Sequence, residues 1–398
     1  MTGYEILYLW VARMIMSGMS LAGDIPFRDV VIHGLVRDGH GRKMSKSLGN
    51  VIDPNEMIDL HGADALRFSL ARLATGGQQD IPLSVDSIQG GRSFANKIWN
   101  AARLVLQEFP GGEPQLPPED RLTAPQRWLL ARHQRCVAEV NGALDRFEFA
   151  PAAQAIYRFF WSEFCDWGLE MEKDRLRSDD ETVRTDTAHV LAWILERTLR
   201  LLHPVMPFVT EEIWQRFAIG ETIMRAPWPE PDAFAGHEAL GAQAEAVWPF
   251  VEELVTSVRR FRSEHQVPSK TRIEIRLVQG DGGSSRFAGF EQEIQRLAGA
   301  SSIELVRSAD APGSARLMVQ GETVLLPVGD VIDLVAERAR LAKRLAEAET
   351  ERERAEKKLS NPGFHDQAPE DVVLAEKQKV ERAEREAVAL REQLAELG

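Results

Sequence analysis

The sequence predicts a mainly helical protein with α/β parts, and three observations carry that prediction. Residues 1–85 alternate helix-like and strand-like stretches around a glycine-punctuated polar loop. Residues 88–218 repeat apolar side chains at three- and four-residue spacing, as the helices of a bundle do. Residues 331–398 carry two heptad seams separated by Asn361-Pro362-Gly363, the pattern of an antiparallel helical hairpin.

Each element follows from local chemistry. Ile6 to Met19 is rich in Leu, Trp, Val, Ile and Met and reads as a helix, and Val30-Val31-Ile32 reads as a short buried strand. Asp53-Pro54 is an N-cap followed by proline at the first helical position, so helices are expected at 54–60 and, after the break at Gly62, at 63–74. Phe94, Ile98, Ala102, Val105 and Phe109 mark one bundle helix, with Trp99 expected in its core. Further helices are expected over 151–172 and 181–203, where Pro204 and Pro207 end the run. Thr210 is then expected to cap a short helix, against which Phe208 and Trp214 pack.

A helix at 242–263, the alternating strand 272–277, a helix at 286–298 and strands at 302–306, 315–319 and 322–328 make a small α+β module. The two seams of the hairpin run from Leu334 to Leu359 and from Val373 to Leu397. The seams are expected to pair with each other alone. Four domains result: 1–87, 88–232, 233–330 and 331–398.

The totals narrow the function classes. A net charge of −13 argues against non-specific coating of nucleic acid, although positive charge can still gather on one face. Two cysteines, Cys136 and Cys165, supply neither a disulfide framework nor a zinc knuckle, and no protein-bound metal is expected. The start of the chain has no basic region of the secretory kind. No apolar run approaches the roughly 20 residues a membrane span needs, so a cytoplasmic protein without a membrane partner is expected.

Chemistry concentrates in Gly41-Arg42-Lys43-Met44-Ser45-Lys46-Ser47-Leu48-Gly49-Asn50. Two lysines flank two hydroxyl residues in a glycine-bounded loop that follows a strand. Ammonium groups on flexible stems suit a polyphosphate, and serine hydroxyls and backbone amides can donate to its oxygens. A solvated basic loop is the plain alternative for any lone pair of lysines.

The pentad Lys43-Met44-Ser45-Lys46-Ser47 resembles, letter for letter, the KMSKS signature of class I aminoacyl-tRNA synthetases. The resemblance implies a Rossmann-like catalytic domain at 1–87 whose loop closes over ATP with Mg²⁺. Lys46 would stabilise charge on the leaving pyrophosphate, Lys43 would assist, and Met44 would anchor the loop. His33-Gly34 resembles the strand end beside the adenosine, with a structural histidine as the other reading. Tyr4 and Trp10 lie in a segment similar to the one walling the aliphatic amino-acid pocket, and a core role for Trp10 stands beside that one.

Leu202-His203-Pro204-Val205-Met206-Pro207 with Phe94-Ala95-Asn96-Lys97-Ile98-Trp99 is similar to the helical anticodon-binding domain of the valine, isoleucine and leucine enzymes. Lys97 and Arg103 face either tRNA or solvent. The hairpin resembles the coiled-coil arm of bacterial valyl-tRNA synthetases, which implies tRNA contacts by Arg340, Lys343, Arg344, Lys357 and Lys358. Thirteen basic against sixteen acidic residues across 331–398 leave room for a merely solvated hairpin.

The resemblance implies an ATP-dependent, monomeric ligase joining valine to a valine-accepting tRNA. The family's His-x-Gly-His signature does not occur in the sequence. The first half of the catalytic fold and the editing domain are therefore expected to precede residue 1, and the isolated chain is expected to be inactive. A non-catalytic tRNA-binding fragment, or an isoleucine or leucine enzyme, are the alternatives.

Overall fold

The computed structural model describes residues 1–75, 79–231, 238–278, 286–308, 313–329, 334–360 and 370–397. The side chains of Lys46, Leu334, Val335, Glu370, Asp371 and residues 238–240 are outside the described set. So are the turn Asn361-Pro362-Gly363 and the domain edges expected near 232 and 330. The chain forms two compact units, Met1–Glu245 and Ala246–Gly398.

In the first unit, short parallel pairs carry the α/β part. β1 (Thr2–Gly3) pairs with β2 (Ile32–His33), and β3 (Val36–Arg37) pairs with β4 (Ile81–Pro82). Of the expected strand Val30-Val31-Ile32, only Ile32 is in a ladder.

Between β1 and β2 a continuous helical run, Tyr4–Ala22, contains α1 (Ala12–Ser17) flanked by wider turns. This run overturns the expectation that no segment approaches span length: its 19 residues are long and apolar enough to cross a membrane by composition. It is also not a core helix. Tyr8, Trp10, Met16 and Leu21 lie 82%, 58%, 68% and 88% exposed.

α2 (Pro54–His61) and α3 (Ala63–Leu73) form where the caps place them. The Asp53 carboxylate accepts from Asn55 N at 2.8 Å, an N-cap bond that contributes about 1 kcal/mol. α4 (Val85–Glu108) opens with Ser84 and Ser87 each accepting from the other's backbone N–H. α5 (Ala124–Asp145), α6 (Phe149–Arg158) and α8 (Glu181–Leu202) complete the bundle; α6 continues through wide turns over Phe159–Leu169 into α7 (Glu170–Glu172). Phe68 of α3, Phe94 of α4 and Tyr157 of α6 stack at centroid distances of 4.8 and 4.9 Å, so aromatic packing joins the α/β part to the bundle.

α9 (Pro207–Trp214) corrects two local expectations. Thr210 lies inside the helix, fully buried, and its hydroxyl donates to Met206 O at 2.7 Å instead of capping. The cap comes from elsewhere in the chain: the Asp64 carboxylate of α3 accepts from Phe208 N and Val209 N at 3.2 and 2.7 Å. Trp214 is buried and donates to Glu196 at 2.9 Å, whereas Phe208 is 64% exposed. Trp99 is likewise 43% exposed, because helical spacing placed it one position off the buried face that Ile98 and Ala102 define.

In the second unit, which takes in α10 (Glu238–Glu264) from Ala246 onward, that helix leads into a four-stranded sheet of order β6-β5-β8-β7. β5 (Ile273–Val278) alternates buried and half-buried residues, as its sequence predicts. It pairs parallel with β6 (Ala300–Val306) through α11 (Glu291–Ala298), and antiparallel with β8 (Glu322–Pro327), which β7 (Ser314–Val319) flanks.

α12 (Leu334–Leu359) and α13 (Glu370–Glu396) form the hairpin. Leu341, Ala348 and Ala355 are buried with Ala383, Ala387 and Leu390, as the heptads require. The pairs Arg344–Glu386, Arg382–Glu351 and Lys358–Glu376 run down its length. Its base is not self-contained. Arg260 of α10 pairs with Glu396 at 2.8 Å, and His265 meets Glu337 at 3.1 Å. Both contacts are made by residues outside the heptad seams, Glu337 and Glu396.

Candidate functional site

The loop after β3 is built on one buried carboxylate. Asp38 is 7% exposed. Its Oδ1 accepts from His40 N and Arg42 N at 3.0 and 2.8 Å, and its Oδ2 accepts from Arg42 Nε at 2.9 Å. Asn50, at the far end of the loop, donates from Nδ2 to the same Oδ2 at 2.9 Å and to Lys43 O at 3.2 Å. Its Oδ1 accepts from Ser45 N at 2.9 Å. The Asn50 amide, with the Arg42 and His40 donors, holds Asp38 far below the ordinary carboxylate range. Gly41 and Gly49 take φ of +77° and +62° at the two bends, which side chains rarely adopt.

Within this frame Lys43 bridges to Arg37 through its backbone and leaves its side chain exposed. Met44 packs against the buried cluster of Met57, Ala65, Leu66, Leu83 and Ile88. Lys46–Leu48 form a single tight turn, with the Ser45 and Ser47 hydroxyls 3.1 Å apart. The Lys46 side chain lies outside the described residues. Among the described residues, the frame therefore presents two hydroxyls and one exposed ammonium on an apolar anchor, a set that matches phosphate oxygens.

The other expected site residues lie elsewhere. Gly34 is buried, and a Cβ there would lie 1.8 Å from Gln79 O, so close approach of the chain explains the glycine. The neighbouring His33 ring nitrogen Nδ1 lies 2.9 Å from Gly34 O. His33 and Gly34 also line an apolar cavity of about 720 Å³ with Leu35, Arg67, Phe149 and Leu201. Tyr4 hydrogen-bonds into the Arg37–Asp80 ion pair, and Arg37 lowers the Asp80 pKa. Trp10, exposed on its helix, is not a core residue.

Lys97 is already engaged: its ammonium pairs with Asp166 at 2.6 Å and sits 4.0 Å from the Trp161 ring centroid. Arg103 is exposed and lines a groove of about 330 Å³ with Trp99, Leu106 and Arg216. On the arm, Arg340 pairs with Glu337, Lys343 with Glu347, Arg344 with Glu386 and Lys358 with Glu376. Among the described residues, Lys357 has no ion pair.

Sequence reasoning passed over Asp38, Asn50 and the Arg37–Asp80 pair. The first carried a readable signal, since aspartate before Gly39-His40-Gly41 favours a turn closed by its own side chain.

Residues 1–84 match the family described as tRNA synthetases class I (I, L, M and V). Across 397 residues the chain is 41% identical to a valine–tRNA ligase of Carboxydothermus hydrogenoformans, covering 99% of this chain and 44% of that protein. The chain carries domains of the class I aminoacyl-tRNA synthetases. Two further relatives named valine–tRNA ligase agree: one from Streptomyces coelicolor at 40% identity over 398 residues, one from Bacillus subtilis at 38% over 400. The chain covers 44% and 45% of their respective lengths, so it spans less than half of the curated relatives it matches.

Two more matches lie farther along the chain. Residues 126–277 match the anticodon-binding domain of tRNA ligases, and residues 333–398 match the valyl tRNA synthetase tRNA binding arm.

Proposed function

We propose that this chain supplies the ATP loop, the anticodon-binding bundle and the tRNA-binding arm of a cytoplasmic, monomeric valine–tRNA ligase. Its four parts would be 1–87, 88–232, 233–330 and 331–398. The observation that carries the choice of valine is the match of 333–398 to an arm described for valyl enzymes, on a hairpin with a buried seam. The activity joins valine to its tRNA through an adenylate, with ATP and Mg²⁺.

In this reading Lys46 and Lys43 place positive charge on the β- and γ-phosphates as pyrophosphate leaves. Ser45, Ser47 and the loop amides position those oxygens, and Asn50 holds the loop against Asp38. Fixed charge aimed at a leaving group acts in the transition state more than in the ground state. Tyr4 and Trp10 stand beside the amino-acid pocket, and His33 and Gly34 beside the adenosine. The exposed apolar face of Tyr4–Ala22 is read as a protein-packing surface. Arg13 lies at the middle of the run, and a charge at the centre of a span costs about 2.5–3.5 kcal/mol. No membrane partner is proposed.

The test is ATP–pyrophosphate exchange by a full-length enzyme carrying this chain, with valine, isoleucine and leucine in turn. Valine-dependent exchange that falls about a hundredfold in Lys46→Ala, with tRNA affinity unchanged, supports the reading. Exchange driven best by isoleucine or leucine would overturn the choice of amino acid. An unaffected Lys46→Ala would reduce the loop to a solvated turn.

A further inference from the structure

Where α10 meets the base of the hairpin, three possible metal ligands converge. One carboxylate oxygen each from Glu264 and Glu396 and one ring nitrogen of His265 all lie within 4.8 Å of one another. His265 sits just past the end of α10, and its side chain has no exposed surface. Its ring is 4.4 Å, centroid to centroid, from that of Phe261.

The partners of these groups are divided in a telling way. His265 Nδ1 lies 3.1 Å from Glu337 Oε1, and Glu337 is itself held by Arg340 at 2.6 and 2.7 Å. His265 Nε2 is buried and has no hydrogen-bond partner. Glu396 Oε1 accepts from Arg260 at 2.8 Å, while Glu396 Oε2 is buried without a partner. An orphaned buried polar atom costs about 1–3 kcal/mol, and two of them belong to the same three-residue cluster.

That division is how a metal ligand is prepared. A carboxylate on Nδ1–H fixes the imidazole tautomer that leaves a lone pair on Nε2 and makes that nitrogen more basic. A donor on one oxygen of Glu396 turns the other toward the shared space.

We propose that His265 Nε2, Glu396 Oε2 and a Glu264 carboxylate oxygen form a binding site for a divalent transition metal of the zinc class. The donor set is one imidazole and two carboxylates without thiolate, which suits Zn²⁺ and its Co²⁺ substitute, with water completing the coordination. A metal held by bonds of about 2.0–2.2 Å sits between ligand atoms a few ångströms apart, the scale on which these three already lie. The site ties the last turn of α13 to the end of α10 and so braces the base of the arm. It departs from the sequence expectation of no protein metal, which weighed the cysteines and not residues 131 positions apart in the chain.

The experiment uses the whole 398-residue chain, stripped with chelator and titrated with Zn²⁺ and with Co²⁺. The expected result is one high-affinity Zn²⁺ per chain and a rise in thermal midpoint on loading. Co²⁺ should give visible d–d bands without the near-ultraviolet charge transfer of a cobalt–thiolate bond. Glu396→Gln keeps the shape of the side chain and should weaken Zn²⁺ at least tenfold and abolish the rise in midpoint, with Glu264→Gln as the second variant. His265 is buried, so His265→Gln is read only if its circular dichroism matches the parent. Absence of stoichiometric Zn²⁺ binding by the parent chain would overturn the site. So would equal binding by the parent, Glu396→Gln and Glu264→Gln.

Discussion

Asn50 donates to Asp38 at 2.9 Å across twelve residues, so the two ends of the lysine loop share one carboxylate oxygen. The loop's shape is therefore held by a side chain that comes after the last lysine. Asn50→Ala removes that bond and those to Ser45 N and Lys43 O. In a full-length enzyme, valine-dependent pyrophosphate exchange should fall by about tenfold to a hundredfold, since displacement of about 1 Å costs on that order. Affinity for tRNA should stay the same. An Asn50→Ala enzyme with parental exchange would show that the brace is dispensable.

Gly34 is where β2 leads into β3, and Gln79 O occupies the place of a side chain. Gly34→Ala should lower stability by about 1–3 kcal/mol or more, because backbone has to move rather than a flexible side chain. Chemical denaturation of the whole chain measures it. A loss below about 0.5 kcal/mol would mean that the strand ends part without cost.

His133 of α5 is 1% exposed, lies between Phe159 and Trp193, and has no hydrogen-bond partner on either ring nitrogen. Burial, with Arg197 and Arg200 nearby, pushes its pKa down to about 3. The unfolded chain binds that proton near pH 6.5 and the folded chain does not, so the unfolded state gains protons first as pH falls. Stability attributable to His133 is whole above pH 6.5 and is lost between there and about pH 3. The slope is about 1.4 kcal/mol per pH unit. Urea unfolding at pH 7.5 and 5.5 should show that loss in the parent and not in His133→Leu. Equal slopes in the two proteins would refute it.

Four of the five basic residues expected to contact tRNA along the arm are paired with glutamates, and Lys357 is exposed and unpaired among the described residues. A paired cation releases fewer counterions on meeting a phosphate. Lys357→Ala should reduce the slope of log affinity against log salt by about one, and Arg344→Ala by clearly less. Filter binding of valine tRNA between about 50 and 200 mM salt reads both. If the two variants shift the slope equally, the glutamate pairs do not survive in the complex.

The sequence by itself determined the elements and the loop motif. Heptads forecast which arm residues are buried, Asp53-Pro54 set the start of α2, and the Lys43–Ser47 pentad pointed to its family before any coordinates. Those signals are local: a period or a cap needs only neighbours within a few residues. Tertiary structure alone decided who meets whom. It gave α9 its cap from Asp64, engaged Lys97 with Trp161 and Asp166, left Trp99 and Phe208 exposed, and brought Glu264 and His265 to Glu396. Periodicity marks the face of a helix that avoids water, but the partner on that face comes from residues tens to more than a hundred positions away. Only the folded chain sets that distance.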